Sequence, residues 1–148
     1  ITWSLVGSEM CIRDRPFVSL IHSVDSKKLL IEIDKRARQH DRVINCLLQI
    51  HIAQESSKFG LNENEAFELL EMKLANVSID GIMGMATFTN DKQQIRSEFK
   101  SLKNTFEKAK SKFHELSILS MGMSGDYDIA IEEGSNMIRI GSSIFGSR

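Results

Sequence analysis

The residues with the clearest chemical potential lie in one segment, LSMGMSGDYDIAIEEGSNMIRIGSSIFG, residues 119–146. Arg139 stands between isoleucines in a run that reads as a buried strand. Taking a guanidinium out of water costs roughly several kcal/mol unless something pairs with it. Arg139 must then face a ligand or a carboxylate, and Asp80 or Asp25 would serve a structural ion pair. Just beyond it, Gly141, Ser142 and Ser143 open a short predicted helix, where backbone N–H groups and the helix dipole suit an anion. Ser124, at the end of the preceding strand, adds a hydroxyl. The plainer alternative is that Ser124 N-caps the next helix and that GSS is an ordinary turn. Other strand ends offer His22, Ser23 and Asp25, then Gln54, Glu55 and Lys58, then Met83, Gly84 and Met85.

Positioning these residues requires a regular frame, and the chain from Phe17 onward supplies one. FVSLIHSV reads as a strand, and SKKLLIEIDKRARQHD follows with Leu29, Leu30, Ile33 and Ala37 at helical spacing. VINCLLQIHIA is a second apolar run. NENEAFELLEMKLAN then reads as a helix with Asn62 as N-cap and Glu65 three residues on, the pattern of a capping box. VSIDGIMGMA leads into DKQQIRSEFKSLKNTFEKAKSKFH, whose Ile95, Phe99, Leu102, Phe106, Ala109 and Phe113 form one apolar stripe. LSILSMGM precedes DYDIAIEE, closed by Gly134, and MIRI precedes SSIFG. Strands apolar on consecutive positions are buried on both faces, and their alternation with helices implies a parallel sheet of the α/β class. Periodicity leaves two architectures open, a doubly wound open sheet and a (β/α) barrel. Both place their sites at the carboxyl ends of strands, and barrels often build a phosphate site from the loops after their last two strands. Neither G-x-G-x-x-G nor G-x-x-x-x-G-K-[ST] occurs.

Composition narrows the function classes. The 148 residues are 41% hydrophobic and 26% charged, enough for one globular domain with a core. A net charge of −1, with both signs interspersed, argues against nucleic acid and anionic membranes as partners. The lysines of 100–112 read as a solvated helix face. No apolar run approaches the roughly 18 to 20 residues of a membrane span. Cys11 and Cys46 make no disulfide framework, which fits a reducing, cytoplasmic setting, and the four histidines lack metal-ligand spacing. Residues 1–15, ITWSLVGSEMCIRDR, show neither period, and SLVGSEMCIRDR looks like a translated sequencing adapter. They are expected to be non-native, leaving 17–148 as part of a single domain.

Five blocks carry a family resemblance: HSVDS (22–26), LLQIHIAQESSKFG (47–60), GIMGMATF (81–88), LSMGMSGDYDIAIEEGS (119–135) and IRIGSSIFGSR (138–148). Together they resemble the pyridoxal-phosphate homeostasis proteins of the YggS/PROSC type. The resemblance implies an alanine racemase-type (β/α)8 TIM barrel carrying pyridoxal 5′-phosphate (PLP), present here as an incomplete barrel of about the last five β/α units. It places Arg139 at the pyridine nitrogen, and Ser124 with the backbone N–H groups of Gly141 and Ser142 at the phosphate. It puts Met83 and Met85 on the strand lining the ring, where core packing explains them equally well, and Lys58 at the barrel mouth in a solvated role. The family's Schiff-base lysine would lie upstream of Phe17, so the sequence is expected to be a C-terminal fragment.

The implied function is PLP binding for intracellular PLP homeostasis, a carrier without established turnover that would serve PLP-dependent apoenzymes and be monomeric when intact. The alternative is a PLP-dependent racemase-type enzyme acting on amino acids. That reading needs a second, β-rich domain with a catalytic tyrosine, and the only tyrosine here is Tyr127. A barrel for some other phosphorylated metabolite would explain the phosphate cluster but not Arg139.

Overall fold

The computed structural model describes residues 18–54 and 59–146. Five parallel strands pair in sequence order: β1 (Leu20–Val24), β2 (Ile44–Ile50), β3 (Val77–Gly84), β4 (Ile118–Met123) and β5 (Met137–Arg139). Between and after them lie α1 (Lys27–Gln39), α2 (Glu63–Glu71), α3 (Lys92–Lys112), α4 (Tyr127–Glu132) and α5 (Ser142–Phe145). The sheet curls into a half-barrel with helices outside, a partial α/β barrel. An unbroken order from β1 to β5 is what a barrel requires, because each right-handed β/α crossover delivers the next strand to the same side. The expected adapter segment, Phe17, Glu55 and Lys58 lie outside the described residues.

One continuous apolar cluster joins the convex side of the sheet to the helices. Leu29, Leu30, Ile33 and Ala37 of α1 and Ile95, Phe99, Leu102, Phe106 and Ala109 of α3 pack there with Cys46, Leu48, Leu119 and Met121 of the strands. Both helical stripes are thus buried as their spacing predicts. Leu47, Met83 and Ser120 are also buried but alternate with the cluster residues along their strands, which puts them on the concave face. The lysine-rich side of α3 is the solvated one, with Lys103 paired to Glu107 and Lys108 to Glu63.

The helix starts follow local rules. Ser26 and Asp91 accept backbone N–H bonds from α1 and α3, and Asn62 and Glu65 form the reciprocal capping box of α2. One boundary departs from expectation. The α2 helix stops at Glu71, although its pattern continued to Asn76, because tertiary contacts claim the rest. Met72 and Leu74 pack on the core, Asn76 N–H donates to Asp34, and the Asn76 amide donates to the Arg42 carbonyl.

A second departure concerns β5. Met137, Ile138 and Arg139 are half-buried rather than fully buried, because β5 is the edge strand of the described sheet. Its short ladder is supplemented by side chains. Ser135 Oγ accepts from Met121 N–H and donates to the Met121 carbonyl, while Asn136 Oδ1 accepts from Leu119 N–H and its amide donates to the Ser117 carbonyl. These bonds sew β5 to β4 and set Arg139 beside Ser120.

Candidate functional site

The strand ends bring two clusters together at one corner of the half-barrel. In the first, Ser124 Oγ accepts hydrogen bonds from the backbone N–H groups of Gly141 (3.1 Å) and Ser143 (3.3 Å). Ser143 Oγ in turn lies 3.5 Å from the Ser124 carbonyl, to which it donates. The plainer reading of Ser124 as a helix N-cap is overturned. Asp126 occupies that position, and its Oδ1 accepts instead from Met123 N–H at 2.6 Å. The chain reaches Ser124 by turning at Gly122, whose φ of 96° and close approach to Ala130 leave no room for a side chain: a Cβ would lie 2.6 Å from Ala130 Cβ.

Two backbone N–H groups thus converge on one hydroxyl oxygen at the head of the last helical turn. Sequence reasoning selected Ser124, Gly141 and Ser142. The structure joins Ser124 to Gly141 and to Ser143, with Ser142 beginning the helical turn between them. All three residues of this GSS stretch are exposed.

The second cluster surrounds Arg139. Its Nη1 donates to Ser120 Oγ at 2.6 Å and to the Ser120 carbonyl at 3.4 Å, and Nη2 donates to the Gly84 carbonyl at 3.1 Å. No carboxylate among the described residues forms an ion pair with it, so neither Asp80 nor Asp25 plays the structural role left open for them. Asp80 Oδ1 accepts from Ser78 instead. Burial pulls the guanidinium's pKa below its ordinary value, and the carboxylate of Asp126 pushes it part of the way back. Of the guanidinium's five N–H donors, these bonds engage three at most. Met85 directly follows Gly84 and is half-buried, and Met83 is buried on the concave face.

Several positioning residues escaped sequence reasoning. Ser120 is fully buried within LSMGM, where a lone hydroxyl in an apolar run was the available signal. Glu98, 6% exposed on the inner side of α3, accepts from Thr87 N–H and Thr87 Oγ1, both at 2.7 Å, and from Gln94. Thr87 Oγ1 accepts from Gln54 N–H at 3.0 Å, tying together the loops after β2 and β3. His22, noted only as a strand-end polar residue, has its pKa lowered by burial and then by the charge of Arg139. Among the described residues no group of three or more His, Cys, Asp and Glu side chains is placed to hold a metal ion. No described helix is long and apolar enough to cross a membrane.

The model of the alanine racemase N-terminal domain family matches residues 11–148. The chain belongs to this family. Two curated relatives are named pyridoxal phosphate homeostasis protein. The Vibrio alginolyticus protein is 33% identical over all of this chain and 66% of its own length, and the Aquifex aeolicus protein is 36% identical over 88% of this chain and 59% of its own. The chain thus spans roughly three fifths to two thirds of the relatives it matches. Among solved structures, PipY of Synechococcus elongatus PCC7942 with PLP bound superposes with a TM-score of 0.78 at 27% identity, covering 93% of this chain and 66% of that one. An alanine racemase of Clostridium difficile 630, at 16% identity and a TM-score of 0.61, shares the fold.

Proposed function

We propose that this chain binds pyridoxal 5′-phosphate at the corner formed by β4, β5 and α5, and that it serves intracellular PLP homeostasis as a carrier. The observation that carries the proposal is the convergence of the Gly141 and Ser143 N–H groups on Ser124, next to a guanidinium that forms no ion pair with a carboxylate among the described residues. A phosphorylated ring with an acceptor nitrogen satisfies both clusters at once. In this reading Ser124 Oγ and the N–H groups of Gly141, Ser142 and Ser143 hold the phosphate. Arg139, fixed by Ser120 and Gly84, donates to the unprotonated ring nitrogen, and Met85 lies alongside the ring.

PLP, when bound, supplies an amine-reactive aldehyde and a ring able to accept electron density. A cation at the ring nitrogen disfavours its protonation and so weakens the ring as an electron sink. Arg139 therefore restrains carbanion chemistry on the ring, in keeping with relatives named for homeostasis rather than for a reaction. A cytoplasmic site of action, PLP-dependent apoenzymes as recipients and a monomeric intact protein remain parts of this proposal.

The test is equilibrium dialysis of PLP against the wild-type chain and Ser124→Ala. Loss of one hydrogen bond to a charged acceptor is worth about 1.5 to 3 kcal/mol, so the Kd should rise roughly 10- to 150-fold. An unchanged Kd would show that Ser124 only closes its own loop.

A further inference from the structure

Gln49 carries an observation that the fold does not absorb. It is 6% exposed, a buried amide in a strand whose other buried residues are Ile44, Cys46, Leu47, Leu48 and Ile50. Its Nε2 donates to the Phe59 carbonyl at 2.7 Å. A carbonyl only accepts, so this bond settles which end of the amide is nitrogen and turns Oε1 the other way. No donor among the described residues reaches Oε1. Nor is it sealed inside the protein, since His22 Nδ1 is the one fully enclosed side-chain nitrogen or oxygen among those residues without a partner. An acceptor so placed costs stability until something donates to it.

The ladder sets this acceptor on the concave face. Leu48, Ile82 and Leu119 are register partners across β2, β3 and β4, and all three belong to the apolar cluster beneath the helices. The next row, Gln49, Met83 and Ser120, follows in unbroken register and so points the opposite way. Ile50, beyond Gln49, is again part of the cluster. Arg139 reaches over this row from β5, with Nη1 on Ser120 Oγ at 2.6 Å and Nη2 on the carbonyl of Gly84, one residue past Met83, at 3.1 Å. The guanidinium thus lies against β3 and β4, and Gln49 faces the same side from β2. Between one and two strand spacings, about 5 to 10 Å, separate them. One six-membered ring with a hydrogen bond of about 2.8 Å at either end fills that span.

A pyridoxal phosphate ring held at its nitrogen by Arg139 and at its phosphate arm by the Ser124 corner turns the opposite edge, which carries the hydroxyl, away from β4 and β5 and toward β2. The cation at the ring nitrogen disfavours protonation there, so the proton stays on the hydroxyl, which is then a donor. Gln49, its nitrogen committed to Phe59, offers the matching acceptor. We infer that Gln49 is a ligand-contact residue whose Oε1 accepts a hydrogen bond from the ring hydroxyl of the pyridoxal phosphate held by Arg139. This inference rests on the PLP reading of the site and adds a contact from β2, across the concave face from the phosphate corner. It also makes Gln49 a specificity-determining residue, because an acceptor without a free donor selects a ring with a hydroxyl at that position.

Two measurements on the full chain test it. In the first, wild type and Gln49→Met are titrated with PLP and with 3-deoxypyridoxal 5′-phosphate, which lacks the ring hydroxyl. Wild type should favour PLP over the deoxy analogue by roughly tenfold, and the variant should bind the two alike. Loosening of the Phe59 loop alone would weaken both ligands equally and leave the preference intact. A preference that survives the substitution, or that wild type lacks, would overturn the contact while leaving the PLP site standing. A wild-type chain that binds neither ligand would instead overturn the PLP reading, and the inference with it. The second measurement needs no substitution and so does not depend on the variant's folding. The ¹³C resonance of the Gln49 side-chain carbonyl should move further on saturation with PLP than with the deoxy analogue. Equal movements, or none, would refute the contact.

Discussion

Replacing Gly81 by alanine should separate the two strands that hold Arg139. A Cβ at position 81 would lie 1.9 Å from the carbonyl oxygen of Ile118 and 2.7 Å from its carbonyl carbon. Carbon and oxygen need roughly 3.3 Å, so β3 and β4 must part locally by about 1.4 Å. The obstacle is backbone, and Ser117 N–H bonded to the Asp80 carbonyl at 2.9 Å holds it in place on the neighbouring residue. Overpacking of this kind costs about 1 to 3 kcal/mol and more where backbone must move, while the alanine recovers about 0.4 to 1 kcal/mol from the unfolded chain. A net loss of about 3 kcal/mol is expected. In urea, with an m-value of about 2 kcal/mol/M, the midpoint should fall by about 1.5 M. The same separation pulls Ser120 on β4 away from Gly84 on β3, so the guanidinium loses one of its acceptors and PLP affinity should fall with stability. Gly125→Ala is the control, since a Cβ there meets nothing within 4 Å, and it should stay within about 0.5 kcal/mol of wild type. A Gly81→Ala variant less than about 1 kcal/mol below wild type would refute the reasoning and with it the closeness of the β3–β4 approach.

Asn62→Ala removes one half of the capping box of α2 and should cost about 1 kcal/mol by urea titration, with a loss below a few tenths counting against the box. His22 should make stability sensitive to acid. Its folded pKa lies below its unfolded value of about 6.5, so its contribution is fully present above that pH and is lost as pH falls toward the folded pKa. The urea midpoint of wild type should therefore drop more between pH 7.5 and 5.5 than that of His22→Gln, and identical drops would show that the imidazole is not shielded.

The elements were legible because their signals are local. The stripes of α1 and α3, the cap at Asn62 and the consecutive apolar residues of β2 each follow from spacing within one segment, and each appears where that spacing puts it. The α2 boundary was not, because Asp34 and Arg42, distant in sequence, hold Asn76 outside the helix. In the site, Ser124, Gly141 and Arg139 stood out as residue types at strand ends, where a parallel α/β fold gathers its chemistry.

Sequence by itself determined which side chains are costly to bury and which faces of helices and strands are apolar. Those are properties of single residues and of periods of two and 3.6. Tertiary structure alone decided what the costly groups meet. Arg139 found Ser120 and the Gly84 carbonyl rather than Asp80 or Asp25, because the curl of the sheet and the Ser135–Asn136 stitching set the registers of β3, β4 and β5 against one another. It likewise turned the N–H groups of Gly141 and Ser143 onto one hydroxyl. Contacts between strands far apart in the chain depend on how the sheet closes, and no local spacing encodes that curvature.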